Sequence, residues 1–206
     1  VSAIMKLASR EKIPVTPRGA GTGLSGGALA VFGGISLSME RMNRILEIDT
    51  GNLMAVVEPG VITEVLQTEA EKAGLYYPPD PASRGSCMMG GNVAENAGGP
   101  HAVKYGVTRD WVTGLTAVMP DGSVFSAGGK LRKDVSGYNL TQLLVGSEGT
   151  LAIITLIVVK LIPLPAHKRA LVACFDDVES AAKAVVAVFD KKVIPAAVEF
   201  KEGAAW

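Results

Sequence analysis

Five glycines fall within nine positions of the run Pro17-Arg18-Gly19-Ala20-Gly21-Thr22-Gly23-Leu24-Ser25-Gly26-Gly27. Glycine has no Cβ, so such a run takes positive φ freely and leaves its amides bare. Successive bare N–H groups form a concave nest for an anion, and the planar fork of Arg18 suits phosphate oxygens. The chemistry this spacing supports is the cradling of a diphosphate. The segment just before it, residues 13–15, is apolar and β-prone, so the loop hangs from a strand end.

Gly21, Gly23 and Gly26 satisfy the G-x-G-x-x-G of dinucleotide sites, and Glu40 follows where that motif places a ribose ligand. The spacing argues against that motif. It needs a helix after the glycines and then a second parallel strand, a crossover of about a dozen residues or more. Only residues 28–34, ending in Gly33-Gly34, separate the glycines from the next apolar strand at 35–39, and a glycine pair breaks a helix. The anion is therefore expected on a loop between strands. A second block, residues 78–100, is again rich in glycine and short polar side chains, with few residues able to form a core, and a short third run spans 146–155. Together they read as walls of one elongated ligand site.

The elements that must position these loops are legible at coarse level. Residues 1–12 show a helical pattern with Ile4, Leu7 and Ala8 on one face. Strand-like runs follow at 13–16, 35–39, 45–48 and 54–58. A helix over 61–73 is expected to turn Val61, Val65 and Leu66 inward and to stop at Gly74. Residues 112–119 and 123–127 flank Pro120-Asp121-Gly122, a strong hairpin signal. A short helix at 139–145 and a long buried strand within 151–162 complete a second, mainly antiparallel lobe. Beyond a Pro163-Leu164-Pro165 hinge, 169–175 reads as strand, 178–189 as amphipathic helix and 195–200 as strand again, a β-α-β unit too small for a complete domain.

With 206 residues, 48% hydrophobic and 19% charged, the chain can bury a sizeable core. Twenty basic residues balance twenty acidic ones with no basic stripe, which argues against nucleic acid as a partner. The 151–162 run is too short and too interrupted to span a bilayer, and no signal peptide or transmembrane segment is visible. Cys87 and Cys174 are far apart and lack metal-ligand spacing, so reduced thiols are expected, as in a cytoplasmic protein.

The order PRGAGTGLSGG, PPDPASRGSCMMGGNVAENAGG, KYG, LRKDVSGYNL, GSEGTLAIIT resembles the FAD-linked oxidases of the vanillyl-alcohol-oxidase type, which carry an FAD-binding PCMH-type domain. Within them it is most similar to the group holding the glycolate oxidase flavoprotein subunit and the D-lactate and D-2-hydroxyglutarate dehydrogenases, over residues 3–165. The resemblance implies an α+β fold with a two-lobed flavin domain at 1–165, lobes dividing near 75, and at 166–206 the start of a ferredoxin-like substrate cap. It implies that Arg18, Gly19, Ala20, Gly21, Thr22, Gly23, Leu24, Gly26 and Gly27 wrap the FAD pyrophosphate. Pro79, Asp80, Gly85, Ser86, Cys87, Gly90, Gly91 and Asn92 would pass the flavin, and Asn96, Ala97, Gly98 and Gly99 would continue that wall. Glu148, Gly149 and Ile153 would lie along the adenosine half, beside Ala152, which stands where the family commonly has glycine.

The implied reaction is oxidation of a small D-2-hydroxy acid, with hydride passing to flavin N5. The family's base, substrate arginine and metal-binding histidines belong to later segments, so no catalytic residue and no metal ligand is assigned, and the chain is expected to be cut at both ends. The first loop has no histidine, and neither His101 nor His167 matches a flavinylation position, so the FAD is expected to be non-covalent. His101, Lys104, Tyr105, Tyr138 and the Arg132-Lys133-Asp134 cluster are weaker candidates, each with a packing or solvated-surface role as the alternative. An iron–sulfur or second flavoprotein subunit is the implied electron acceptor, with peripheral attachment at the inner membrane through it. Two alternatives stay open: an alkyl-glycerone-phosphate-synthase-like flavoenzyme, and a non-catalytic flavin-binding relay subunit of a multi-subunit oxidase.

Overall fold

The long apolar run becomes the centre of the principal sheet. In the computed structural model, which describes residues 1–202, it forms β8 (Ile153–Lys160), with Ile157 and Val159 fully buried. Two antiparallel pairs flank it: β3 (Ile45–Asp49) with β4 (Met54–Val57) on one side, and β6 (Val112–Val118) with β7 (Val124–Gly128) on the other. The strand order is β3-β4-β8-β6-β7. The expected hairpin is present, with Gly122 at φ +83° in its turn. β3 and β4 belong to the first half of the chain yet pair into the sheet of the second, so the lobe division expected near residue 75 passes between strands of one sheet.

The smaller layer is built from α1 (Ser2–Glu11), β1 (Val15–Arg18) and β2 (Ile35–Ser38). β1 and β2 pair in parallel, Val15 opposite Ile35, and no helix interrupts the crossover between them. The second parallel strand of a dinucleotide fold is thus present, but the glycine-rich crossover is all loop. α1 buries Met5 and Ala8 rather than the expected face, leaving Leu7 exposed and Ile4 half-buried. It rests on Met39, Val118 and Ile153 through an i, i+3 stripe, which this narrow contact selects.

A second correction concerns α2 (Thr63–Lys72). Val61 and Leu66 are buried as expected, but Val65 is exposed and the inward position is taken by Gln67. Gln67 Nε2 donates to the carbonyls of Tyr77 (3.3 Å) and Pro79 (2.9 Å). A buried amide with two acceptors can replace an aliphatic side chain on that face. It pins the chain leaving β5 (Leu75–Tyr76), which pairs with β9 (Ile162–Pro163).

The 78–100 block is not coreless loop. It contains α3 (Met89–Glu95), whose Met89 and Val93 are fully buried one turn apart, followed by α4 (Ala102–Tyr105). Two helical glycines cost about 1 kcal/mol each against alanine. Packing accounts for Gly90, where a Cβ would stand 2.6 Å from Pro59 Cβ, whereas Gly91 has nothing within 4 Å of its Cβ position. α5 (Leu140–Leu144) forms as expected, with Asn139 Oδ1 accepting the Gln142 amide at 3.0 Å.

In the C-terminal segment α6 (Val178–Asp190) is present, capped by Asp177, whose carboxylate accepts the Ser180 amide at 2.7 Å. The flanking strands expected at 169–175 and 195–200 are not formed. A helix closes its hydrogen bonds internally, whereas a strand needs a neighbour, and none pairs with these stretches among the described residues. The end of this expected cap segment, 203–206, lies outside the described residues.

Glu58, at the end of β4, is buried and takes the Arg44 amide (2.8 Å) and guanidinium (2.8 and 3.2 Å). These bonds hold its carboxyl below the ordinary value of 4.5. A carboxylate with a depressed folded pKa stabilises above its unfolded value and loses that contribution as pH falls through the folded one. Urea melts of wild type and Glu58→Gln are therefore expected to differ at neutral pH and to converge as pH drops below about 4.5. A gap independent of pH would discard the ion pair as its source.

Candidate functional site

One open cleft collects residues from all three glycine-bearing stretches. The first loop contributes Gly19, Ala20, Gly21, Thr22, Gly23 and Gly27. The second block supplies Cys87, Gly90, Gly91, Asn92 and Ala97, and the third Glu148, Gly149 and Ile153. Residues separated by more than a hundred positions are brought together because β1 ends beside the chain entering β8: a Cβ on Gly149 would stand 3.2 Å from Pro17 Cγ.

The remaining sequence-expected residues lie outside the lining. Leu24 is fully exposed and Gly26 serves a local turn, its carbonyl accepting the Leu29 amide. Arg18 Nη1 sits 3.4 Å from Glu40 Oε1, so the residue once matched to a ribose ligand instead holds the arginine. Asn96 caps α3 at φ +53°, its side-chain oxygen accepting the Arg109 amide at 2.8 Å. Ser86 Oγ donates to the Ser83 carbonyl at 3.1 Å, Gly85 abuts Glu64, and Gly98 abuts Val107. Pro79, Asp80 and Gly99 are also outside the lining: the Pro79 carbonyl takes Gln67, and Gly99 packs against the Asp80 main chain.

Asp80 is the centre of a brace with His101. It is buried, and its Oδ1 accepts the His101 amide at 2.9 Å while its Oδ2 lies 3.1 Å from His101 Nδ1. The Pro78 carbonyl is also 3.1 Å from Nδ1, so two acceptors face that nitrogen and place its proton there. Tyr76 Oη lies 3.0 Å away, and burial, with Asp80 adding its charge, pushes the phenol up to about 12. His101, Tyr76 and Tyr105 meet edge to face, and Lys104 lies over the Tyr105 ring, so these candidates pack against one another. Tyr138, His167 and the 132–134 cluster are exposed and away from the cleft.

Sequence reasoning missed part of the wall. Met39, Pro59, Pro81, Ser83, Met88 and Ala94 line it, as do Glu95 and Ile154. Met39 and Pro59 lie outside the quoted motifs and only the fold brings them there, whereas the others sit inside the 78–100 and 146–155 stretches without having been singled out. Behind the wall, buried Asn92 donates through Nδ2 to Thr63 Oγ1 at 2.6 Å, and Thr63 Oγ1 lies 3.2 Å from Cys87 Sγ. This chain of polar contacts ties the start of α2 to both ends of the 87–92 wall. Cys87 is buried and unpaired, and Cys174 is exposed and unpaired.

The wall fits a phosphorylated ligand by its backbone. Around Gly91, nothing lies within 4 Å of where a Cβ would stand, so the cleft meets bare main chain there. The amides at 19–23 and at Gly91 suit phosphate oxygens, whereas the Gly90 amide is spent on the Pro59 carbonyl at 2.7 Å, and Met88, Ile153 and Ile154 supply apolar surface beside them.

A family model described as an FAD binding domain matches residues 1–128. The glycolate oxidase subunit GlcD of Bacillus subtilis (strain 168) is 48% identical over 200 residues, which cover 97% of this chain and 43% of that protein. The D-lactate dehydrogenase of Anaerostipes hadrus is 45% identical over 202 residues, covering 98% of this chain and 42% of its own. The chain thus spans less than half the length of these relatives. Among solved structures, an alkyldihydroxyacetonephosphate synthase superposes with a TM-score of 0.78 at 27% identity, over 96% of this chain and 36% of that one. The chain belongs to the FAD-binding domain family, of the vanillyl-alcohol-oxidase type, and its cofactor is FAD.

Proposed function

We propose that the cleft seats FAD with its diphosphate on the amides of 19–23 and Gly91, and that the whole protein oxidises a small D-2-hydroxy acid of the glycolate or D-lactate kind. The observation that carries this is the meeting of three glycine-bearing stretches, distant in sequence, on one backbone-lined wall. The names of the relatives at 48% and 45% identity support the substrate class. The synthase shares the fold at 27% identity and gives its own chemistry less support.

FAD, when bound, supplies a hydride acceptor at N5 for the substrate Cα. The chain's own residues bind and orient. Glycine amides face the diphosphate, while Cys87, Met88 and Ile153 exclude water from the ring side. Asp80 and Gly99 act through the brace with His101, and Pro79 through Gln67, rather than by touching the ligand. The cofactor is held non-covalently, a reading supported by a lining without histidine among the described residues. Residues 1–165 form the flavin domain, and 166 onward begins the substrate cap. An iron–sulfur or second flavoprotein subunit takes the electrons, in a cytoplasmic protein attached to the inner membrane through that partner. No helix of the described residues is long and apolar enough to cross a membrane.

Anaerobic addition of D-lactate or glycolate to the full-length, FAD-loaded protein is expected to bleach the visible flavin band. L-lactate should leave it unchanged, and denaturation should release free FAD. A flavin that stays oxidised with every D-2-hydroxy acid would remove the proposed substrate class.

A further inference from the structure

The cleft's charge is the reverse of what a diphosphate site invites. Among the described residues, the charged side chains in its lining are Glu95 and Glu148, with no lysine or arginine. Arg18, the cation nearest the glycine run in sequence, turns Nη1 to Glu40 at 3.4 Å while its Nε and Nη2 lie 3.4 Å from where a Cβ on Gly21 would stand, outside the lining itself. Glu95, the last residue of α3, reaches across to the first loop. Ser25 Oγ donates to its Oε2 at 3.3 Å. Its Oε1 lies 3.7 and 3.6 Å from where Cβ atoms on Gly23 and Gly27 would stand, so bare glycine backbone lets it approach.

We propose that Glu95 is an exposed anion at the rim of the cleft, held on the 23–27 turn, that repels the diphosphate on the adjoining 19–23 amides and thereby sets how tightly FAD is held. This rests on FAD occupying the cleft. A diphosphate on the neighbouring amides brings like charge close to this exposed carboxylate, a repulsion of about 1 kcal/mol at 4 Å in water that salt screens. Seating the ligand therefore meets this repulsion or moves Glu95 away from Ser25. The carboxylate thus determines specificity through affinity: ligands without phosphate do not meet it.

The test uses full-length protein stripped of flavin and titrated with FAD, read by flavin fluorescence. Glu95→Gln is expected to lower the Kd about tenfold at low salt. In about 1 M salt, where screening acts over roughly 3 Å, the gap should shrink. Riboflavin, which has no phosphate, should not distinguish the two proteins. Glu95→Asp keeps the charge and should stay within about twofold of wild type, with thermal melts confirming that each variant is folded. FAD bound equally or more weakly by Glu95→Gln, or an equal gain for riboflavin, would overturn the role of Glu95 alone. Absence of FAD binding by both proteins would overturn the cleft as the flavin site, and this inference with it.

Discussion

Gly99→Ala is expected to destabilise the fold by about 3 kcal/mol, a large share of the 5–15 kcal/mol typical of a domain. A Cβ at 99 would stand 2.3 Å from the Asp80 carbonyl oxygen and 2.5 Å from its carbon. The obstacle is main chain, so no side chain can rotate aside and the two segments must part. Overpacking of this kind costs about 1–3 kcal/mol. Parting them also stretches the bond from the His101 amide to Asp80 Oδ1, now 2.9 Å, worth about 1 kcal/mol or more because the acceptor is a carboxylate. Urea melts should show a lower midpoint at unchanged slope. A loss under about 1 kcal/mol would mean that the backbone relaxes around the new methyl and that the brace is soft.

Gly91→Leu is expected to do the opposite: keep the fold and weaken ligand binding. No atom lies within 4 Å of its Cβ position, it sits inside α3, and it lines the cleft. Leucine is a better helix former than glycine by roughly 0.8 kcal/mol, so the melting midpoint should hold or rise. The isobutyl group projects where the diphosphate and its neighbours are proposed to sit. A clash of about 2.7 kcal/mol, within the overpacking range, corresponds to about a hundredfold weaker FAD binding. The two glycines thus separate stability from binding. A folded Gly91→Leu protein that takes up FAD with undiminished affinity would place the ligand elsewhere.

The parts of this molecule legible in its sequence are those whose cause is local. The 120–122 turn, the helix over 63–72 and the buried strand at 153–160 follow from turn chemistry and periodicity within a few residues. The glycine loop was legible for the same reason, since bare amides announce themselves by composition. What escaped depends on distant partners. α3 contradicts its own glycines because Pro59, thirty residues earlier, leaves room for nothing else at Gly90. Gln67 faces inward because the carbonyls of Tyr77 and Pro79 pass within reach. Asp80 sits in the motif as an expected ligand contact, and the fold places its carboxylate against the His101 amide, a partner the sequence does not announce. The strands expected at 169–175 and 195–200 had propensity without a neighbour, which does not suffice.

The placement of β4 against β8 has a kinetic consequence. Met54 faces Lys160 and Val57 faces Ile157, so the central sheet is closed by residues about a hundred positions apart. Such pairings have high contact order and pay their loop-closure entropy late, which slows folding. On the ribosome, the glycine-rich crossover emerges early, but the strand that sets its opposite bank emerges only after Ile153. Cofactor capture then has to await synthesis through β8, and nascent chains halted before it should neither retain flavin nor resist protease. If FAD sits in this cleft, its loading is therefore expected to follow assembly of the sheet rather than to seed it.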